Sequence, residues 1–518
     1  MISLARLQDI VIPLPGCLII QSERVVKAAD GDRCGITQFD PPPRGNTINS
    51  VRRTRHLVIA MLAATASLLP TASPAGAADS GTMTAQTLVL PVGTPVPSPA
   101  SLRSPGALRS MASTARTSTA ATTPKEVVGP AAAYGKRATV PAATAPLNRA
   151  AVPTSLAAGT ISYPEPARSM TLNECKKNMG GTAQVYIKSR FAVCTAQQVT
   201  TVWATSKGSV GTSTYYVYIR GSVPKEADRT MSFDYDVTGF TAVGTTGVAG
   251  LKIGLKGVVP MTSPSKAKPV MNKALPVTKT WPQMKAAPHY THTLRYAPGQ
   301  GMGGAPMDLV YAVYQPEITS TLPVGWVGTS PVTGKPFMFA PRWDSAPYLR
   351  NSTGAGNPAN KGGAAFSMIA TLEYSSQPGA PEKAVADHIK LAFTNPKATK
   401  PLNALKDVPG DTETQPLNRL YLDKKRYARN RAVAVRECKR SWGDKYADGG
   451  KECDEFPFAS TYQGSAIEEY DVHVERKNYS VMPLDGDANG AAGNLLGGFY
   501  MNNRVIDGPE DGFIVKIN

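Results

Sequence analysis

Glu452-Cys453-Asp454-Glu455-Phe456-Pro457-Phe458-Ala459-Ser460-Thr461 is the stretch that decides how this chain is read. Two adjacent carboxylates follow a cysteine and precede an aromatic-proline pair. Neighbours on an extended chain point to opposite faces. One of Asp454 and Glu455 therefore faces a site, while the other faces a supporting layer or solvent. A bridge from Cys453 to Cys438 would close a short loop, worth on the order of 3 kcal/mol. It would also fix the backbone where the carboxylates emerge.

Outward from this stretch, further blocks follow in order. Gln463-Gly464 comes first, then Asn489 with Ala492-Gly493-Asn494-Leu495, then Gly498-Phe499-Tyr500, and finally the apolar Phe513-Ile514-Val515. Together they closely resemble the NucA/NucB family of secreted bacterial deoxyribonucleases, over roughly residues 430–518. The resemblance implies a small ββα-metal-like endonuclease site that binds one divalent ion, Mg²⁺ or Mn²⁺, at the scissile phosphate of DNA. Carried over by position, Asp454 becomes the general base and Glu455 a catalytic carboxylate that binds the metal or supports its ligands. Asn489 becomes a metal-site ligand. Asn494 takes that role if the helix starts later, and Asp487 is close enough to contribute. Oxygen ligands suit a hard cation that keeps several waters. Related nucleases often use histidine as base, and His473 lies in the alternating Tyr470-Asp471-Val472-His473-Val474, but the family pattern does not require it.

The segment from Leu417 to Arg440 has helical spacing, with Leu420, Ala428, Val433 and Val435 set among basic residues. From Lys424 to Arg440 there are eight Lys or Arg and one acidic residue, Glu437. Lys424, Lys425, Arg426, Arg429, Arg431 and Arg436 are the candidates for DNA phosphate contacts, which release counterions and weaken with salt. Strand-like character is expected over Ala466 to Glu475 and Gly512 to Ile517, and helical character around Ala491 to Asn502.

The chain has 518 residues and a net charge of +18, so polyanions suit it as partners. The charge is uneven. Positions 400–518 hold 17 Lys/Arg against 19 Asp/Glu, whereas positions 79–399 hold 31 against 14. The carboxylate-rich end is slightly acidic, and the positive field comes from elsewhere.

Arg52, Arg53 and Arg55 precede an apolar run from Leu57 to Leu69, and Ala75-Gly76-Ala77 forms a small-residue cleavage site. Residues 51–78 therefore read as a secretory signal peptide, and the run is too short to span a bilayer. Val51 followed by Arg52-Arg53 reads as a start, which makes residues 1–50 an upstream extension. The expectation is a secreted, extracellular protein without a membrane anchor. That protein keeps Cys175, Cys194, Cys438 and Cys453, an even number in an oxidising compartment. Of three possible pairings, Cys175 with Cys194 and Cys438 with Cys453 is favoured because each pair lies in one short segment. No C-x-x-C pair suggests zinc.

Residues 79–160, rich in Ala, Pro, Thr and Ser, read as a disordered linker. Residues 161–400 read as a β-rich, sandwich-like domain, with alternating runs at Val199 to Ala204, Thr214 to Arg220, Met231 to Val237, Met307 to Tyr314 and Phe366 to Tyr374. His289 and His292 are expected in an exposed loop. The nuclease domain is assigned to 401–518, giving an α+β protein overall. Besides a DNA-cleaving enzyme, two other functions fit this layout. One is a binding protein whose β-rich domain attaches to cell-wall polymer or nucleic acid. The other is a C-terminal DNase toxin with an immunity protein as partner.

Overall fold

The computed structural model describes residues 12–14, 17–19, 82–103, 162–180, 184–225, 229–302, 307–350 and 362–518. The chain divides into two units, Met1–Ala77 and Ala78–Asn518. In the first, Ile12–Leu14 pairs antiparallel with Cys17–Ile19. The signal segment lies outside the described residues.

The larger unit is mixed α and β, and begins with a sandwich-like body. One sheet has Met83–Leu90, Ala192–Thr205, Gly208–Ser222, Thr230–Gly244 and His289–Tyr296 as successive neighbours. The other runs from Val277–Thr280 through Lys252–Ser263, Val310–Thr321 and Pro341–Asp344 to Gly363–Phe366. Alternation explains their packing: Met231, Phe233, Tyr235 and Val237 are buried on one face of their strand. They share a core with Ile253, Leu255, Val310 and Tyr314 of the opposite sheet. Cys175 and Cys194 are joined, with Cα atoms 6.0 Å apart.

Three expectations need correction here. Met83–Leu90 lies within the stretch read as linker, yet it pairs along its length with Ala192–Thr205. Its run Met-Thr-Ala-Gln-Thr-Leu-Val-Leu has strand-forming residues, which the Ala, Pro, Thr and Ser of the surrounding stretch mask in composition; residues 104–160 lie outside the described residues. His289 and His292 are on a strand, not in a loop, and His292 is buried with Nδ1 2.6 Å from the Tyr314 hydroxyl. The run from Phe366 to Tyr374 is two strands, which break at Ser367 to Ile369 and enter different sheets.

That break moves the domain boundary. Ala370–Tyr374 (β1) pairs in parallel with Gly512–Ile517 (β5), and Leu417–Asn418 (β2) lies antiparallel on the other side of β5. Lys383–Thr394 (α1) buries Val385, Ala386, Ile389 and Ala392 in the same core as Phe456, Leu495 and Phe499. The C-terminal lobe thus starts near residue 370 rather than 401. Lys424–Trp442 (α2), Lys451–Phe456 (β3), Ser480–Asp485 (β4) and Gly486–Asn502 (α3) complete it. Residues 466–475 form turns and a short 3₁₀ segment instead of the expected strand, and the partner of β3 comes later, at β4.

Sandwich and lobe meet through buried charges. Asp511, immediately before β5, accepts from Arg190 at 2.5 Å and from Arg342 at 2.6 Å. Arg504 pairs with Asp344 at 2.6 Å. Gly363 makes room for this pair, since a Cβ there would come within 2.5 Å of the Arg504 guanidinium carbon.

Candidate active site in the C-terminal lobe

β3 and β4 form a hairpin in which Asp454 lies opposite Met482 and Glu455 opposite Val481. Strand alternation sends the two carboxylates toward different helices. Asp454 faces α1, where its Oδ2 is 2.6 Å from Nδ1 of the buried His388. A carboxylate only accepts, so Nδ1 carries a hydrogen and donates it. Nε2 of the same ring is 2.6 Å from the Ser480 hydroxyl on β4. The imidazole is therefore held at both nitrogens, and Asp454 has one oxygen committed.

Glu455 faces α2. Arg431 donates both to Glu455 Oε2 and to the Cys453 carbonyl. The Glu455 side chain keeps only 11% of its exposure. Burial pushes its carboxyl up to about 7; Arg431 opposes the rise and the Asp454 charge adds to it. The neighbours thus point apart as strand geometry demands, yet both border one cleft of about 230 Å³. Tyr374, Tyr427, Arg431, Ser460 and Asn489 line it as well.

Two devices brace the cleft. The Cys438–Cys453 disulfide, with Cα atoms 6.1 Å apart, ties α2 to β3 one residue before Asp454. Asn430, buried on α2, donates to the carbonyls of Ala459 and Thr461 at 2.9 and 3.1 Å and accepts from the Ala466 amide at 3.1 Å. This bracket holds the loop after the carboxylates. It requires Gly464, where a Cβ would meet the Asn430 amide nitrogen at 2.3 Å.

α3 begins at Gly486, capped by Asp485, which accepts from the Ala488 amide at 3.1 Å. The helix start thus precedes Asn489, which lines the cleft and donates through Nδ2 to Glu452 at 2.7 Å. Asn494 is exposed outside the cleft lining, and Asp487 is exposed in the first turn. His473 is exposed on a turn away from the cleft.

The basic helix is less free than its sequence suggests. Arg429 is paired with Glu469 through two contacts of 2.7 Å, and Arg431 is paired with Glu455. Arg426 donates to the Tyr462 carbonyl at 2.5 Å and lies against the rings of Tyr462 and Tyr470. Lys424, Lys425 and Arg436 are exposed.

This succession of hairpin and helix, with paired carboxylates at its centre, falls inside the stretch 410–515, which matches the family model described as Deoxyribonuclease NucA/NucB. Residues 410–515 of the C-terminal lobe are thus similar to a NucA/NucB deoxyribonuclease domain. No curated protein and no solved structure matches the chain. The match begins at residue 410, so β1, α1 and His388 lie outside it, although they pack into the NucA/NucB core. His388 is also the residue that sequence reasoning missed. With a boundary at 401, His473 is the one histidine in the domain. The signal that could have found it is the apolar spacing Val385, Ala386, Ile389 and Ala392, which marks an amphipathic helix with His388 on its buried side.

Proposed function

We propose that this protein is an exported, divalent-metal-dependent endonuclease that hydrolyses DNA phosphodiester bonds with little sequence preference. The observation that carries this reading is the pair of buried Asp454 and half-buried Glu455, which border one cleft of the C-terminal lobe and are held by separate helices. Asp454 is the general base. His388 occupies Oδ2, so Oδ1 is the atom offered to the proton of an attacking water. The double tether on His388 keeps that oxygen aimed without spending chain entropy at each turnover.

Glu455 and Asn489 are suited to hold Mg²⁺ or Mn²⁺. Among the described residues no three His, Cys, Asp or Glu side chains cluster as a cage. Few protein oxygens plus water is the coordination Mg²⁺ commonly adopts. Asn489 spends its amide hydrogen on Glu452, which leaves its carbonyl oxygen to accept. The high pKa of Glu455 reflects a buried carboxylate that Arg431 alone does not neutralise, and an added cation offsets that cost. When bound, the ion supplies positive charge for the phosphate oxygens and the leaving oxygen. Arg431 keeps Glu455 oriented, and Lys424, Lys425 and Arg436 counter the repulsion between a carboxylate site and DNA.

Two disulfides support export to an oxidising compartment. No helix among the described residues is long and apolar enough to cross a membrane.

The test uses the full chain with plasmid DNA and Mg²⁺ or Mn²⁺, with and without EDTA, beside Asp454→Ala. Metal-dependent cleavage is expected, with a loss of about 10²–10⁴ in the variant. No cleavage by the parent protein, or undiminished cleavage by Asp454→Ala, overturns the assignment.

A further inference from the structure

Val237 to Met307 contains eight Lys or Arg and not one Asp or Glu. This stretch builds the outer strands of both sheets. Val277–Thr280 is the edge of one sheet and Pro269–Met271 the edge of the other. Only residues 272–276 connect them, so both edges meet along one border of the sandwich. Lys252, Lys266, Lys268, Lys273 and Lys285 are exposed there, and none pairs with a carboxylate among the described residues. The contrast is further along the strand that carries Lys252, where Lys256 shares Glu317 with Lys335 at 3.9 and 3.4 Å.

Lysine on an open strand edge guards against pairing with other chains. That role does not require the absence of acidic residues, which also block an edge. The stretch itself contributes charge of one sign over this length, and the nearest carboxylates of its sheet, Asp234 and Asp236, lie one strand inward of His289 and against it. We infer that this border is a second binding site for the phosphate backbone of duplex DNA, separate from the cleft, which holds long substrate against the protein during cleavage. Charge complementarity with the substrate of the C-terminal lobe selects this occupant, and to that extent the inference rests on the deoxyribonuclease reading. The border is four strand steps from Gly363–Phe366, the strand beside Arg504 of the lobe. At the usual strand spacing this is about 19 Å. A small phosphodiester needs only the cleft, so its turnover reports on the cleft without the border.

The experiment compares the full chain carrying Asp454→Ala with the same chain also carrying Lys266→Gln, Lys268→Gln, Lys273→Gln and Lys285→Gln. Binding to a 40-base-pair duplex in EDTA is followed by fluorescence anisotropy across a salt series. The expected result is at least a tenfold loss of affinity at low salt. The slope of log affinity against log salt should become shallower by up to about 3.6, since each of the four phosphate contacts contributes about 0.9. In the chain with native Asp454, turnover of bis(4-nitrophenyl) phosphate should be unchanged by the four substitutions. Unchanged affinity and slope overturn the inference. So does a loss of binding confined to poly(glycerol phosphate), which would assign the border to a wall polymer. If the parent protein cleaves nothing yet the lysines still govern duplex binding, the border stands and the catalytic reading falls.

Discussion

Two clusters of buried charge in this molecule are built from the same residue types and do opposite things. At the junction, Asp511 sits between Arg190 and Arg342 and also accepts from the Ile506 amide at 3.1 Å. Burial alone would raise its pKa, but the two guanidinium groups outweigh it and hold the carboxyl below its usual range. In the cleft, Glu455 has one arginine and a second carboxylate beside it, and burial prevails. A saturated carboxylate welds two parts of a fold together. A carboxylate left short of positive charge is poised to receive it. The number of cations in reach separates a structural cluster from a chemical one.

The sharpest way to break this contrast is to remove one carboxylate from each cluster. Asp454→Asn should cut plasmid cleavage by about 10³ with little change in thermal midpoint, because the amide fills the same space. Asp511→Ala should do the reverse. It takes the carboxylate from buried Arg190 and leaves Arg342 only Asp344 at 4.0 Å, and should destabilise the chain by about 3–5 kcal/mol, measured by denaturant unfolding. Comparable stability losses from both variants would erase the distinction.

Next in size is the pH dependence of the metal-free protein. The folded-state pKa of Glu455 is raised to about 7 from the ordinary 4.5. Between those values the native state binds more protons than the unfolded chain, so this group lowers stability as pH rises. The full difference is at most about 3 kcal/mol. In EDTA, the parent should lose more stability than Glu455→Gln between pH 5 and pH 8. Parallel curves would show that Glu455 is already neutralised by its neighbours.

His388→Ala should lower kcat by about 10–100-fold while leaving KM for DNA close to its original value. His388→Gln, which keeps a donor toward Asp454, should recover part of the loss. A purely structural histidine would show no such split and no recovery. The smallest effect separates exposed from paired cations on α2. Lys425→Gln should reduce the salt slope of DNA binding by about 0.9, whereas Arg429→Gln, whose parent is occupied by Glu469, should change it less.

Much of this was legible in order along the chain. The strands of the sandwich follow from alternation at Met231 to Val237. α2 begins at Lys424 rather than at Leu417, because Leu417–Asn418 is drawn into β2, and α3 includes the expected 491–502 but starts earlier, at Gly486. Both disulfides join cysteines 19 and 15 residues apart, as short loops favour. Asp454 and Glu455 were visible as a motif. Their surroundings were not. The turns at 466–475 contain alternating residues but lack a neighbouring strand to pair with, and periodicity cannot report a missing partner.

Sequence by itself determined the local content of this protein: which residues are carboxylates, which segments alternate, and which cysteines lie close enough to join. Tertiary structure decided where the lobe begins and what holds Asp454. β1 pairs with β5 from Ala370 to Phe513 onward, and His388 meets Asp454 across 66 residues. Such contacts depend on the path of the chain rather than on spacing within any window. The loop entropy of bringing them together is repaid only when the whole core closes.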